Sequence, residues 1–138
     1  MPTHVDIATI VSQIIKQTVT VGERIQELAE QPNAPTAALG CLSTEVFLIE
    51  TALKRLPEYA WKPNKVAQLR DPKVASDLDE VLLAIAVILH EISLELDALV
   101  FKKAKRFSLK RKIDLEGLLL RLRARQSALR LLLTVISM

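Results

Sequence analysis

The chain has 138 residues and a mass of 15.4 kDa, enough to bury one core, and its single cysteine excludes a disulfide scaffold and points to a reducing compartment. Three glycines and 4% aromatics exclude a Gly-rich phosphate loop and a many-turned β-sandwich, and leave Leu, Ile, Val and Ala to build the core. The net charge of +3 conceals a segregation: residues 1–101 carry 8 Lys/Arg and 14 Asp/Glu, net −6, and residues 102–138 carry 11 and 2, net +9.

Met1-Pro2-Thr3-His4 is not the basic start of a signal peptide, and no A-x-A-like cleavage site follows. The apolar runs 7–15, 81–89 and 131–138 are each shorter than the about 20 residues of a spanning helix, so no conventional membrane span is expected. Val5, Ile7, Ile10, Val11, Ile14, Ile15, Val19, Val21, Ile25 and Leu28 place an apolar stripe at helical spacing over 5–31. A strand would put Ile10 and Val11, and Ile14 and Ile15, on opposite faces. The β-branched residues are mediocre helix formers, so packing has to hold this helix. Pro32 and Asn33 stop it.

Asn33 is a candidate N-cap for a second helix with Pro35 in its first turn. Leu39, Leu42, Val46, Ile49, Leu53 and Leu56 step by three and four, a coiled-coil-like seam with Glu45, Glu50, Lys54 and Arg55 around it. Cys41, one residue off that seam beside Gly40, reads as a small buried residue rather than a nucleophile. Pro57 ends the helix. Residues 57–71 form the one irregular stretch, with a further short helix expected near 64–70. Its Tyr59 and Trp61 either plug one end of a bundle or contact a partner.

Asp71-Pro72 is a strong helix start. Val74, Leu78, Val81, Ile85, Ile88 or Leu89, Ile92, Leu96 and Leu99 carry the period on for about 30 residues, or about 45 Å. Nearly every position over 81–89 is apolar, which predicts a central helix buried on most sides. Asp77, Asp79 and Glu80 complement its N-terminal dipole. The segment 102–112 breaks the pattern with seven basic residues. Leu115, Leu118, Leu119, Leu122, Leu129, Leu132, Leu133 and Ile136 then stripe a last helix, in which Gly117 marks a close crossing. The predicted fold is all-α, an up-and-down bundle of four long helices in a single domain spanning 1–138.

No constellation of catalytic groups is present, so an enzyme is not expected. His90-Glu91 begins like H-E-x-x-H, but position 94 is Leu, and neither His4 nor His90 has ligands at metal spacing. No catalytic, cofactor or metal residue is assigned. The basic block Lys102, Lys103, Lys105, Arg106, Lys110, Arg111 and Lys112 has three readings. It is a solvated surface paired with the acidic helices, or a phosphate contact for nucleic acid, or a headgroup site for anionic lipid. The acidic remainder of the chain disfavours nucleic acid, and a block of seven cations at roughly 1 kcal/mol each suits a lipid surface.

Residues 5–15, the helix 42–53 and the leucine-rich, arginine-bearing run 118–133 together resemble the HeLo-like N-terminal domains of fungal STAND (NLR-type) proteins. The resemblance implies a helical bundle related to those of necroptosis executioners and RPW8-like domains. It implies a regulated cell-death or incompatibility effector that acts with a nucleotide-binding receptor in cis or in trans. It further implies a cytoplasmic protein that forms a homo-oligomer on activation and moves to the plasma membrane. Val5, Ile7, Ile10, Val11, Ile14 and Ile15 are then the membrane-insertion candidates, and the basic block 102–112 the headgroup candidate. About 11 residues span only some 16 Å, so the helix inserts partway rather than crossing alone. A soluble helical interaction or oligomerisation module without membrane activity is the alternative.

Overall fold

The periodicity predicts four long helices, and four are present among the described residues. The computed structural model describes residues 7–31, 34, 36–55, 72–101 and 109–137. They form α1 (Ile7–Ala29), α2 (Thr36–Arg55), α3 (Pro72–Phe101) and α4 (Leu109–Ser137), an all-α four-helix bundle. The short helix expected near 64–70 lies outside the described residues, as do Tyr59, Trp61, His4 and the Asn33 cap.

α1 packs against α2 and α3, and α4 packs against the same two helices. Around the bundle the order is therefore α1, α2, α4, α3, so α2 and α3 stand at opposite corners although they are consecutive in the chain. Two polar links fix the direction of α3 along α1. Gln17 Nε2 donates to the Ala86 carbonyl at 3.3 Å, and Arg24 Nε to Asp97 Oδ1 at 2.8 Å. Both numbers rise together, so the helices are parallel. Residues 30–35 are too few to retrace α1, and 102–108 too few to retrace α3, so α2 and α4 each run back on the helix before them. Chain direction thus alternates up and down, while the neighbours do not follow chain order.

One core gathers residues from all four helices. The α2 seam is buried as spaced: Leu39, Leu42, Val46, Ile49 and Leu53. In α3, Leu78, Val81, Ile85, Ile88, Leu89, Ile92, Leu96 and Leu99 are buried, joined by Leu82. α2 is long and apolar enough to cross a membrane by length and composition, which the run lengths had not suggested. A core helix has the same property, and here its seam is spent on α1 and α4.

Four expectations are corrected. α3 is not central: it holds a corner, and Leu83, Val87 and Leu94 face solvent. A bundle of four helices has no central position, so an all-round apolar helix must leave part of its surface outside. In α1 the core position falls to Thr18 rather than Val19, which is exposed. The Thr18 hydroxyl donates to the Ile15 carbonyl at 2.6 Å, which satisfies it and lets it be buried. Cys41 is exposed, because the seam at 39 and 42 turns position 41 outward. Gly117 marks no crossing, since a Cβ there would meet nothing within 4 Å.

Candidate functional site

The membrane-insertion candidates divide sharply by burial. Ile10, Val11 and Ile14 are core residues, with Ile14 fully buried, and Ile15 is half-buried against the core. Ile7 opens α1, and Val5 precedes the described residues. Burial of each side chain in the bundle contributes about 2 kcal/mol, so freeing three of them costs about 6 kcal/mol unless another apolar phase receives them. The inner face of α1 is thus packed rather than presented. Its outward side is polar at Ser12, Gln13 and Lys16.

Of the headgroup candidates, Lys102, Lys103, Lys105 and Arg106 lie outside the described residues. Lys110, Arg111 and Lys112 belong to the first turn of α4. The structure adds what the basic run leads into. α4 carries seven Lys/Arg and two Asp/Glu, net +5, whereas α3 carries one and six, net −5, and α1 and α2 are each balanced. Sequence counting found the sign change but not that the two opposite helices are neighbours.

Charge on this side is only partly paired. Arg121 Nη1 donates to Glu91 Oε2 of α3 at 3.0 Å, and Arg123 Nε donates to Glu45 Oε1 of α2 at 2.9 Å. Glu45 is only 7% exposed, and its Oε2 has no partner. Arg125 and Arg130 have no acidic partner among the described residues. The acids Asp77, Asp79 and Glu80 follow the first turn of α3, which itself holds no acid, so they lie beyond the reach of the strongest dipole effect.

α4 buries Leu115, Leu119, Leu122, Gln126, Leu129 and Leu133, stepping four and three. Position 126 completes the seam with a polar side chain, which the leucine count had skipped. On the opposite face Leu120, Leu131 and Val135 are exposed, in line with Ala124 and Ser127. An open groove of about 480 Å³ lies between α3 and α4, lined by Ala84, Val87 and Ile88 of α3 and by Arg121, Ala124, Arg125 and Ala128 of α4. A smaller cleft of about 200 Å³ lies between α1 and α3, lined by Gln13, Lys16, Gln17 and Thr20 of α1 and by His90 and Ser93 of α3. Among the described residues no three His, Cys, Asp or Glu side chains gather in a way that holds a metal ion.

Compared with known proteins, the chain matches no family model, no curated protein and no solved structure.

Proposed function

We propose that this chain is a membrane-targeting effector domain of the HeLo-like, cell-death type, which oligomerises on activation and acts at an anionic membrane. The observation that carries this reading is the state of α1. Its uncharged opening stretch, residues 7–15, is held by the burial of Ile10, Val11 and Ile14, while its links to α3 at Gln17 and Arg24 lie further along. Apolar burial is not directional, so a bilayer interface or a neighbouring copy can replace it at little net cost. A helix pinned by buried ion pairs along its whole length lacks that freedom. The net +9 of residues 102–138 supplies attraction to the same surface. Activation by a nucleotide-binding receptor and a cytoplasmic resting state belong to this proposal.

Charged substitutions at Ile10 or Ile14 are poor probes, because an aspartate in the core breaks the bundle before any membrane is met. Ser12 is exposed on the same helix. In a Cys41→Ser background, Ser12→Cys carries an environment-sensitive fluorophore without disturbing the core. With phosphatidylserine vesicles the label is expected to shift to the blue and to be quenched by lipid-borne quenchers, in step with release of trapped dye. A label that stays in water while the vesicles remain intact and the protein oligomerises refutes the effector reading and leaves the soluble module.

A further inference from the structure

Eight large apolar side chains are exposed among the described residues, and six of them lie on two adjacent helices: Leu83, Val87 and Leu94 on α3, and Leu120, Leu131 and Val135 on α4. The α4 set is the more ordered. At 100° per residue, positions 120, 124, 127, 131 and 135 fall within one narrow strip, about 22 Å long from end to end. That strip is opposite the buried seam, so it is a convex ridge on the outside of the bundle. Leu120 and Leu131 are 62% and 69% exposed, the largest exposures of any leucine described.

Arginines flank the ridge on both sides. Arg121 and Arg125 stand on the side toward α3, beside the groove, and Arg123 and Arg130 stand on the side toward α2. Two of the four are occupied by Glu91 and Glu45, and one unpaired arginine remains on each flank, Arg125 and Arg130. From these positions we infer that the outer ridge of α4 is the surface by which the folded bundle lies on an anionic lipid bilayer, with its leucines in the acyl boundary and its arginines at the headgroup phosphates. The inference rests on the membrane reading above and names a contact for it, distinct from the N-terminal helix and from the basic run 102–112.

The geometry favours a bilayer over a protein helix. A partner helix seeks a concave seat, and the nearby concave seat is the α3–α4 groove, lined by three alanines, Val87, Ile88 and two arginines and reached by Arg125 alone of the two unpaired arginines. An extended anionic surface meets a convex ridge along its whole length and reaches both flanks at once. Long arginine stems also cover apolar surface while their guanidinium groups reach outward, the arrangement of helices that lie in an interface. The contact centres on the stretch from Leu120 to Leu131. Ala84 and Ala128 line one groove between antiparallel helices, so the Asp77–Glu80 acids of α3 come beside the far end of α4 and lift Val135 from a negative surface.

The test uses vesicle flotation with phosphatidylcholine alone and with added phosphatidylserine, comparing the wild-type chain with three variants. Leu120→Gln/Leu131→Gln removes the ridge, Arg125→Gln/Arg130→Gln removes its unpaired charges, and Phe47→Gln removes an exposed apolar residue on α2. All five positions are exposed, and circular dichroism checks that each variant stays helical. Both double variants are expected to bind phosphatidylserine vesicles about tenfold more weakly, with Phe47→Gln unchanged and phosphatidylcholine binding weak throughout. Wild-type affinity in the leucine double variant overturns the ridge, and if the Ser12 label still enters lipid the effector reading stands without it. Conversely, ridge-dependent binding with the Ser12 label left in water keeps the ridge and refutes insertion. Sedimentation velocity completes the set: a leucine double variant that loses self-association but keeps vesicle binding makes the ridge an interface between copies, and overturns the lipid assignment.

Discussion

Gly117 stands on the solvent side of α4 with open space where a Cβ would be. A helical glycine loses more conformational entropy on folding than alanine does, and here nothing offsets that loss. Gly117→Ala is therefore expected to stabilise the fold by about 0.5–1 kcal/mol, measured as a raised midpoint in urea. Three polar residues show the limit of reading single positions. Thr18, Glu45 and Gln126 are each less than one-tenth exposed. Their polar character argued for the surface, and each sits in the core because a neighbour or the helix phase put it there. Thr18 has its own backbone to bond. Glu45 has Arg123, 78 positions later, and no local pattern links them. Gln126 keeps an unpartnered amide nitrogen and is simply at the phase of the seam. A heptad count that tolerates one polar residue finds it; a count of leucines does not.

At the scale of the helix, α2 and α4 illustrate how one seam is joined to another. Leu39 to Leu53 and Leu115 to Leu133 are buried rows, and between these helices lies the Glu45–Arg123 pair. Removing the arginine leaves a mostly buried carboxylate without its partner, although the outer part of that arginine is wet and screened. Arg123→Ala is expected to cost about 1–3 kcal/mol, and Glu45→Gln/Arg123→Ala to recover part of it, as read in a double-mutant cycle by chemical denaturation. α4 also explains why amphipathicity is a weak guide to its role. It is apolar on two opposite faces, so the two cancel in any average, and only burial separates the core seam from the exposed ridge. α3 presents the same ambiguity. Its all-round apolar stretch reads as a buried centre, whereas its outer residues Leu83, Val87 and Leu94 are at the surface of a corner helix.

For the whole molecule, charge has a direction. The net −5 of α3 lies beside the net +5 of α4, yet the bridge between them in the described residues is the exposed pair Arg121–Glu91. Exposed pairs contribute little, so this one leaves the positive charge of α4 able to act on an anionic surface. Vesicle affinity is accordingly expected to fall steeply between low salt and about 0.5 M salt, while the urea midpoint of the free protein changes little over the same range. Equal salt responses in the two measurements would mean that the arginines serve the fold instead.

The four long helices, their extent and most of the buried leucines and isoleucines were decided by sequence alone, because a 3.6-residue period and proline breaks act locally. The absence of a cysteine pair and the position of the charge reversal are equally properties of the chain. Tertiary structure decided everything that depends on which helix stands next to which. It placed α2 opposite α3, made α1 parallel to α3, turned α3 from a centre into a corner, and set Arg123 against Glu45. It also separated the two apolar faces of α4 into one that fills the core and one that faces out. Those outcomes follow from packing among four long rods, where distant residues compete for the same buried volume, and no window along a single helix contains that competition.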